Sequence, residues 1–434
     1  MRTLLAVVLL AMLAGPARAQ TREVRINISG GGHKIQLYCE AFTGPPAPAG
    51  APAPRGADEV LASDLEQSGV FLVSRAWAGQ PPFDVQAVTG GRWTVSGGQV
   101  TLDGEVRDFP ARRQILARSY RGPASDWRAL VHRFADDIVL QFTGEPGVSR
   151  TQVAFVGRKG RIKELYVMDL DGANLRPLTN DRSIVLSPSW SPDGSLIVFA
   201  TYRDGGDPHV YVVAATGGKV YQLSARPGIN SGPEYSPDGR QIVCTLSRDG
   251  NPEIYVLDAR GGNPRRLTDN RAIDTSPCWS PTGQQIAFTS DRSGTPQVYV
   301  MDASGANAHR LTFDVDYTDS PAWSPKGDLI AFVSRTSSGF DIYVCRPDGT
   351  GSQLAVTGGS NENPSWSPDG RHLLFASDRD GPFALYVTDL DGRPPRKLDT
   401  GDHVATSPAW SPRRAGSAPA AQLGSPHTNP GGSR

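Results

Sequence analysis

A short phrase built on an aromatic, a serine and a proline returns six times in this 434-residue chain at an almost fixed interval. It reads Trp190-Ser191-Pro192-Asp193-Gly194, Tyr235-Ser236-Pro237-Asp238-Gly239, Trp279-Ser280-Pro281-Thr282-Gly283, Trp323-Ser324-Pro325-Lys326-Gly327 and Trp366-Ser367-Pro368-Asp369-Gly370, and ends cut short at Trp410-Ser411-Pro412. The aromatics stand 45, 44, 44, 43 and 44 residues apart. A period in the forties with strand-like content predicts a β-propeller, in which each repeat is one sheet packed against its neighbours.

A second marker keeps the same beat. An apolar-Tyr-Val step recurs at Tyr166, Tyr211, Tyr255, Tyr299, Tyr343 and Tyr386, spaced 45, 44, 44, 44 and 43 residues apart. Each unit therefore reads as four strands. Strand a holds Ser-Pro-x-Trp or a close variant, strand b is an apolar run such as Gln285–Ser290, strand c holds the tyrosine, and strand d ends in Arg-Leu-Thr as at Arg310-Leu311-Thr312. Ser-Pro-Asp-Gly suits a tight turn, because Pro presets φ at the second position and Gly tolerates the exit. A proline within strand a places that strand at a sheet edge. Residues 151–179 supply strands b, c and d without an a, whereas 406–412 supply a lone strand a. The last strand is thus expected to complete the first blade and close a ring of six, leaving no open edge.

The ends carry different signals. Arg2, the apolar run Leu4–Leu13 and Ala17-Arg18-Ala19 read as a secretory signal over residues 1–19, too short to span a membrane comfortably. The expected organisation is signal peptide 1–19, an α+β domain over 20–145, a propeller over 146–412, and a tail 413–434 of low-complexity composition. In the α+β part, Asp58–Gln67 and Ser125–Phe142 read as helices, the latter with Trp127, Leu130, Val131, Phe134, Ile138 and Phe142 at helical spacing and Gly144 as its stop. Lys34–Phe42, Thr101–Asp108 and Arg112–Arg121 read as strands, and Thr43–Ala57 as a Pro/Ala/Gly-rich loop. Removing residues 1–19 takes away two arginines from 44 basic residues, so 42 face 44 acidic ones for a net −2, which offers no electrostatic case for nucleic acid. No segment after the signal is long and apolar enough for membrane insertion. The cysteines Cys39, Cys244, Cys278 and Cys345 show no paired spacing and are expected to be buried thiols, with one disulfide an alternative in an oxidising compartment.

Catalytic patterns are missing. There is no Gly-x-Ser-x-Gly elbow, and 22 residues after Pro412 leave no room for a hydrolase domain. The histidines show no metal-ligand spacing, so neither metal nor other cofactor is expected. Asp169-Leu170-Asp171-Gly172 and Asp389-Leu390-Asp391-Gly392 resemble the opening of a calcium loop, but the downstream Glu is absent, and they read as hairpin turns.

What remains is binding. The link from strand d into the next strand a is expected to reach the channel mouth, and there the repeat varies: Asn230-Ser231, Asp274-Thr275, Thr318-Asp319 and Asn361-Glu362. Variation on a fixed scaffold suggests a docking rim, polar and acidic in character; the alternative is that these are solvated loop residues that cap strands. Near the N-terminus, Val24, Ile26 and Ile28 alternate as in a spare strand that could add to a partner's sheet edge.

A signal peptide, a small α+β domain and this propeller, in that order, resemble the TolB family of the Tol–Pal system. The stretches Leu61–Phe71, Asp136–Gly144 and Arg150–Val156 carry the resemblance in the N-terminal half, and Glu23-Val24-Arg25-Ile26 is similar to the family's TolA-binding segment. The loop at 43–57 looks longer than the family needs, and Cys39 stands where an ordinary apolar residue would do. The resemblance implies a monomeric, non-enzymatic periplasmic protein. It would bind the lipoprotein Pal through its propeller and TolA through its arm, and serve outer-membrane integrity and division. An exported propeller that binds a glycan or another envelope protein is the alternative.

Overall fold

A computed structural model describes residues 34–44, 56–75, 84–313, 315–337 and 339–413. The expected signal, the arm with Glu23, Val24, Arg25 and Ile26, most of the 43–57 loop and the tail beyond Arg413 lie outside the described residues.

The chain enters through β1 (Ile35–Cys39), α1 (Ala57–Gln67), β2 (Phe71–Arg75), β3 (Ala87–Ser96), β4 (Gln99–Asp108), β5 (Gln114–Pro123) and α2 (Trp127–Thr143). The strands form one sheet in the order β2-β1-β3-β4-β5. The pairs β1–β2 and β1–β3 are parallel, while β3–β4 and β4–β5 are antiparallel. Both helices pack against this sheet. Phe134 and Ile138 of α2 and Leu61 and Leu65 of α1 are fully buried with Leu37, Phe71, Leu102 and Val106. The helical spacing of apolar residues in α2 is what allows one stripe to be buried. Gly144 ends α2 in a left-handed conformation, and its N–H is bonded to the Leu140 carbonyl.

Six four-stranded sheets follow, each with its strands in the order a-b-c-d. The a strands approach one another in sequence around a closed ring, so they form the inner edge. In blade 1, strand a (Val404–Trp410) pairs with strand b (Gln152–Lys159), matching Trp410 to Val153 and Val404 to Arg158. That sheet is therefore built from both ends of the propeller. The Trp410 Nε1 donates to Thr151 Oγ1 at 2.8 Å, a hydrogen bond across 259 residues of sequence.

The repeated phrase has a mechanical role in each blade. Ser191 Oγ donates to Asp193 Oδ1 at 2.6 Å and accepts from the Leu196 N–H at 2.9 Å, tying the a–b turn together. The Trp side chains reach between blades: Trp190 Nε1 donates to the Ala409 carbonyl and Trp366 Nε1 to the Ala322 carbonyl, both at 3.0 Å. Blade-to-blade packing is apolar, as in the cluster of Ile286, Phe288, Trp279, Val243 and Val256. The four cysteines are free and buried, each in a different strand, and Cys244, Cys278 and Cys345 occupy strands b, a and c.

Candidate partner-binding face

The two ends of the propeller differ because the strands run in fixed directions. The a–b turns and c–d hairpins gather at one end, here the lower; the b–c hairpins and d–a links gather at the upper. Register places Asn230 opposite Leu246 and Asp274 opposite Ser290, at the upper ends of the b strands.

The α+β domain occupies the lower end. Arg128 and His132 reach Asp171, Lys34 lies 3.2 Å from Asp389 and 3.4 Å from Asp391, and Glu145 lies 3.7 Å from Lys326 and 3.4 Å from Arg371. All the propeller residues in these contacts belong to c–d hairpins or a–b turns. The upper end carries none of these contacts, and it is where the expected rim residues lie.

Those residues fall into two classes. Asn230, Asp274, Thr318 and Asn361 are not loop residues: each is the first residue of an a strand and each is fully buried. Their polar groups are met locally, except that Asp274 Oδ1 has no described partner. Asn230 Oδ1 accepts from Ser224 Oγ at 2.6 Å, while its Nδ2 donates to the Arg226 and Gly228 carbonyls. The Asp274 carboxylate is held by Arg292 and Asn270, both at 2.8 Å. Thr318 Oγ1 accepts the Val298 N–H at 2.9 Å, and Asn361 Oδ1 accepts from Arg379 at 2.7 Å. These four pin the d–a link to the strand beneath it. An unpaired polar group at such depth would cost its full desolvation, which explains why each copy solves the position with its own partner.

Ser231, Thr275, Asp319 and Glu362 come next in the strands and are half-buried. Asp319 Oδ1 accepts from Thr289 Oγ1 of the preceding blade at 2.8 Å. Glu362 has its carboxyl raised from the usual range, first by burial and also by Asp378, while Ser360 and Lys163 act in the opposite sense. One residue further, every a strand bulges. Ser187, Gly232, Ser276, Ser320, Asn363 and Ser407 all adopt φ between 47° and 54° immediately before the proline. Only Gly232 and Asn363 are of types that favour this conformation; the proline and the ring fix it at the four serines.

An exposed apolar feature of this end lies one residue before the buried peg in each repeat. Ile184, Ile229 and Ile273 are 39%, 39% and 49% exposed, and Tyr317 and Val404 hold the same position in half-buried form. Ser360 completes the set in the sixth blade. Close by on the fifth-blade link, Phe313 is 68% exposed, with the Arg310 guanidinium over its ring at 4.9 Å. Five apolar or aromatic side chains at equivalent places form a ring around the inner strands. Exposed apolar surface of this regularity marks an interaction face. Of the three acidic residues expected at the rim, Asp274 is a buried peg, whereas Asp319 and Glu362 are half-buried beside the ring; the apolar ring itself was not expected, although Ile184, Ile229, Ile273 and Tyr317 recur 45, 44 and 44 residues apart.

Among the described residues no group of three or more His, Cys, Asp or Glu side chains is arranged to hold a metal ion, and no helix is long and apolar enough to cross a membrane.

Comparison with known proteins agrees with this architecture. Residues 139–414 match the family model of the TolB β-propeller domain. A Tol-Pal system protein TolB from Desulfosudis oleivorans is 36% identical over 272 residues, 58% of this chain and 61% of that protein. One from Anaeromyxobacter sp. is 38% identical over 268 residues with the same coverage, and a TolB homologue from Chlorobium chlorochromatii is 37% identical over 199 residues, 36% of this chain and 45% of that one. The matches thus span between 45% and 61% of the lengths of these relatives. The crystal structure of TolB from Acinetobacter baumannii superposes with a TM-score of 0.79 at 25% identity, covering 88% of this chain and 98% of that one. With the family model matching well over half of its length, the chain belongs to the TolB β-propeller family.

Proposed function

We propose that the protein is a non-enzymatic periplasmic component of a Tol–Pal system, and that its upper propeller face receives Pal while its N-terminal arm receives TolA. The observation that supports the first part is the contrast between the ends: the α+β domain is seated on blades 1, 5 and 6 at the lower, and the upper carries exposed Ile184, Ile229 and Ile273. An apolar ring backed by a rigid polar layer suits a preformed docking surface that a partner meets without refolding it. Asp319 and Glu362 lie just inside that ring and would bias the approach of a basic element. Charge reversal at either should slow Pal association more than it speeds dissociation, as stopped-flow kinetics would show.

The role given to Glu23, Val24, Arg25 and Ile26 rests on the sequence pattern and the family. A pull-down from envelope extract with the mature protein tests the whole reading. Pal and TolA should be captured, and deleting residues 21–28 should lose TolA alone with the melting temperature nearly unchanged. Capture of a carbohydrate without Pal would replace this reading with the glycan-binding alternative.

A further inference from the structure

The two Asp-Leu-Asp-Gly hairpins have a use that the turn geometry does not require. The third residue of the c–d hairpin is Asp171 in blade 1 and Asp391 in blade 6, but Thr216, Arg260 and Ser304 in blades 2, 3 and 4. Blade 5 has Asp348 there, preceded by Arg346 where blades 1 and 6 carry Asp169 and Asp389. Only two hairpins are therefore doubly acidic. They are neighbours in the ring, since Leu170 and Met168 of blade 1 share a core cluster with Leu385 and Val387 of blade 6.

Both are occupied by cations from the α+β domain. Asp171 receives Arg128, and the His132 Nε2 lies 3.3 Å from it. The other imidazole nitrogen, Nδ1, is 2.6 Å from Asp64 of α1, so this buried ring is clamped between carboxylates of the two domains. Asp389 and Asp391 receive Lys34. Asp389 also bonds His372 Nδ1 at 2.9 Å, and a Cβ added to Gly69 would come within 3.1 Å of His372 Cε1, so the domains touch closely here. Other charged groups at the joint are Asp136 and Glu66 on the α+β side and Arg393, Arg396 and Asp369 on the propeller side.

We propose that these two hairpins form a paired acidic seat that fixes the α+β domain over blades 1 and 6, and that neutralising the seat loosens the domains from each other while each stays folded. Burial alone would push the His132 imidazole down, but Asp64 and Asp171 outweigh it and raise it to about 10, consistent with a charged ring in the joint. Buried partners of this kind leave an uncompensated charge behind when one is removed, so the joint responds to single substitutions that surface pairs would tolerate.

The test uses the full mature chain with spin labels at Ser119→Cys in β5 and Ser293→Cys in blade 4, both exposed positions, the native thiols being buried. Dipolar spectroscopy should give one narrow distance for the parent. Asp171→Asn with Asp391→Asn should broaden or shift it with the circular dichroism spectrum kept, and Asp348→Asn should leave it narrow. Should the double variant lose its folded spectrum, Lys34→Gln serves instead and should broaden the distance. A distance as narrow as the parent's in a folded seat variant, or equal broadening in Asp348→Asn, would overturn the assignment.

Discussion

At the scale of single residues, the structure assigns costs that the sequence does not display. Glu234, the fifth residue of its a strand, has one described hydrogen bond, accepting the Trp279 N–H of the next blade at 2.9 Å. Water reaches part of the residue, yet protein crowds the carboxyl, and burial raises it to about 7 from an ordinary 4.5. A group whose folded value is raised contributes stability below its unfolded value and loses it as pH rises through the folded one. Here that window runs from 4.5 to about 7. Glu234→Gln keeps an oxygen for Trp279 and removes the charge. It should be more stable than the parent at pH 8 by on the order of 1 kcal/mol, with the difference fading toward pH 4.5, as urea midpoints at the two pH values would show. An equal difference at both would mean that ionisation is not the cause. The buried pegs teach a related lesson. Asn230, Asp274, Thr318 and Asn361 vary between copies, and variation suggested a site; the structure shows four local solutions to one buried hydrogen-bonding problem. Residue type alone could not separate these meanings, because both favour short polar side chains.

At the scale of elements, the closing strand makes the sharpest prediction. Trp410 is buried, bonds Thr151 through Nε1, and receives an additional tie from its backbone N–H to Ser365 Oγ at 2.9 Å. Trp323 holds the same place in blade 5 but is only half-buried, and its Nε1 has no described partner. Trp410→Ala should cost about 3–5 kcal/mol, as for a buried aromatic, and Trp323→Ala clearly less. Equal losses in thermal melts would deny the closure any special role. The propeller strands were legible because two markers repeat at one period and the turns are spelled out. The α+β domain was legible in its helices and in β1, β4 and β5. Its remaining topology was not, for a physical reason: β3 carries Gly90 and Gly91 at its centre, where the Phe42 ring packs too closely for a Cβ at Gly91 and Glu40 packs tightly on Gly90, and this breaks the alternation that marks a strand. The parallel pairing of β1 with β2 and β3 leaves no local signature at all.

At the scale of the molecule, one domain seated on the lower end leaves the upper end as a rigid, apolar-rimmed face. The account stands on that face being where Pal docks, and calorimetric titration of the mature protein with the soluble domain of Pal measures it most directly. Ile273→Glu places a charge at the most exposed of the ring isoleucines and should weaken binding at least about tenfold, equivalent to about 1.4 kcal/mol. Arg240→Glu, on an exposed a–b turn at the lower end, should leave the affinity unchanged. Full affinity in Ile273→Glu together with a loss in Arg240→Glu would contradict the account and move the docking face to the other end.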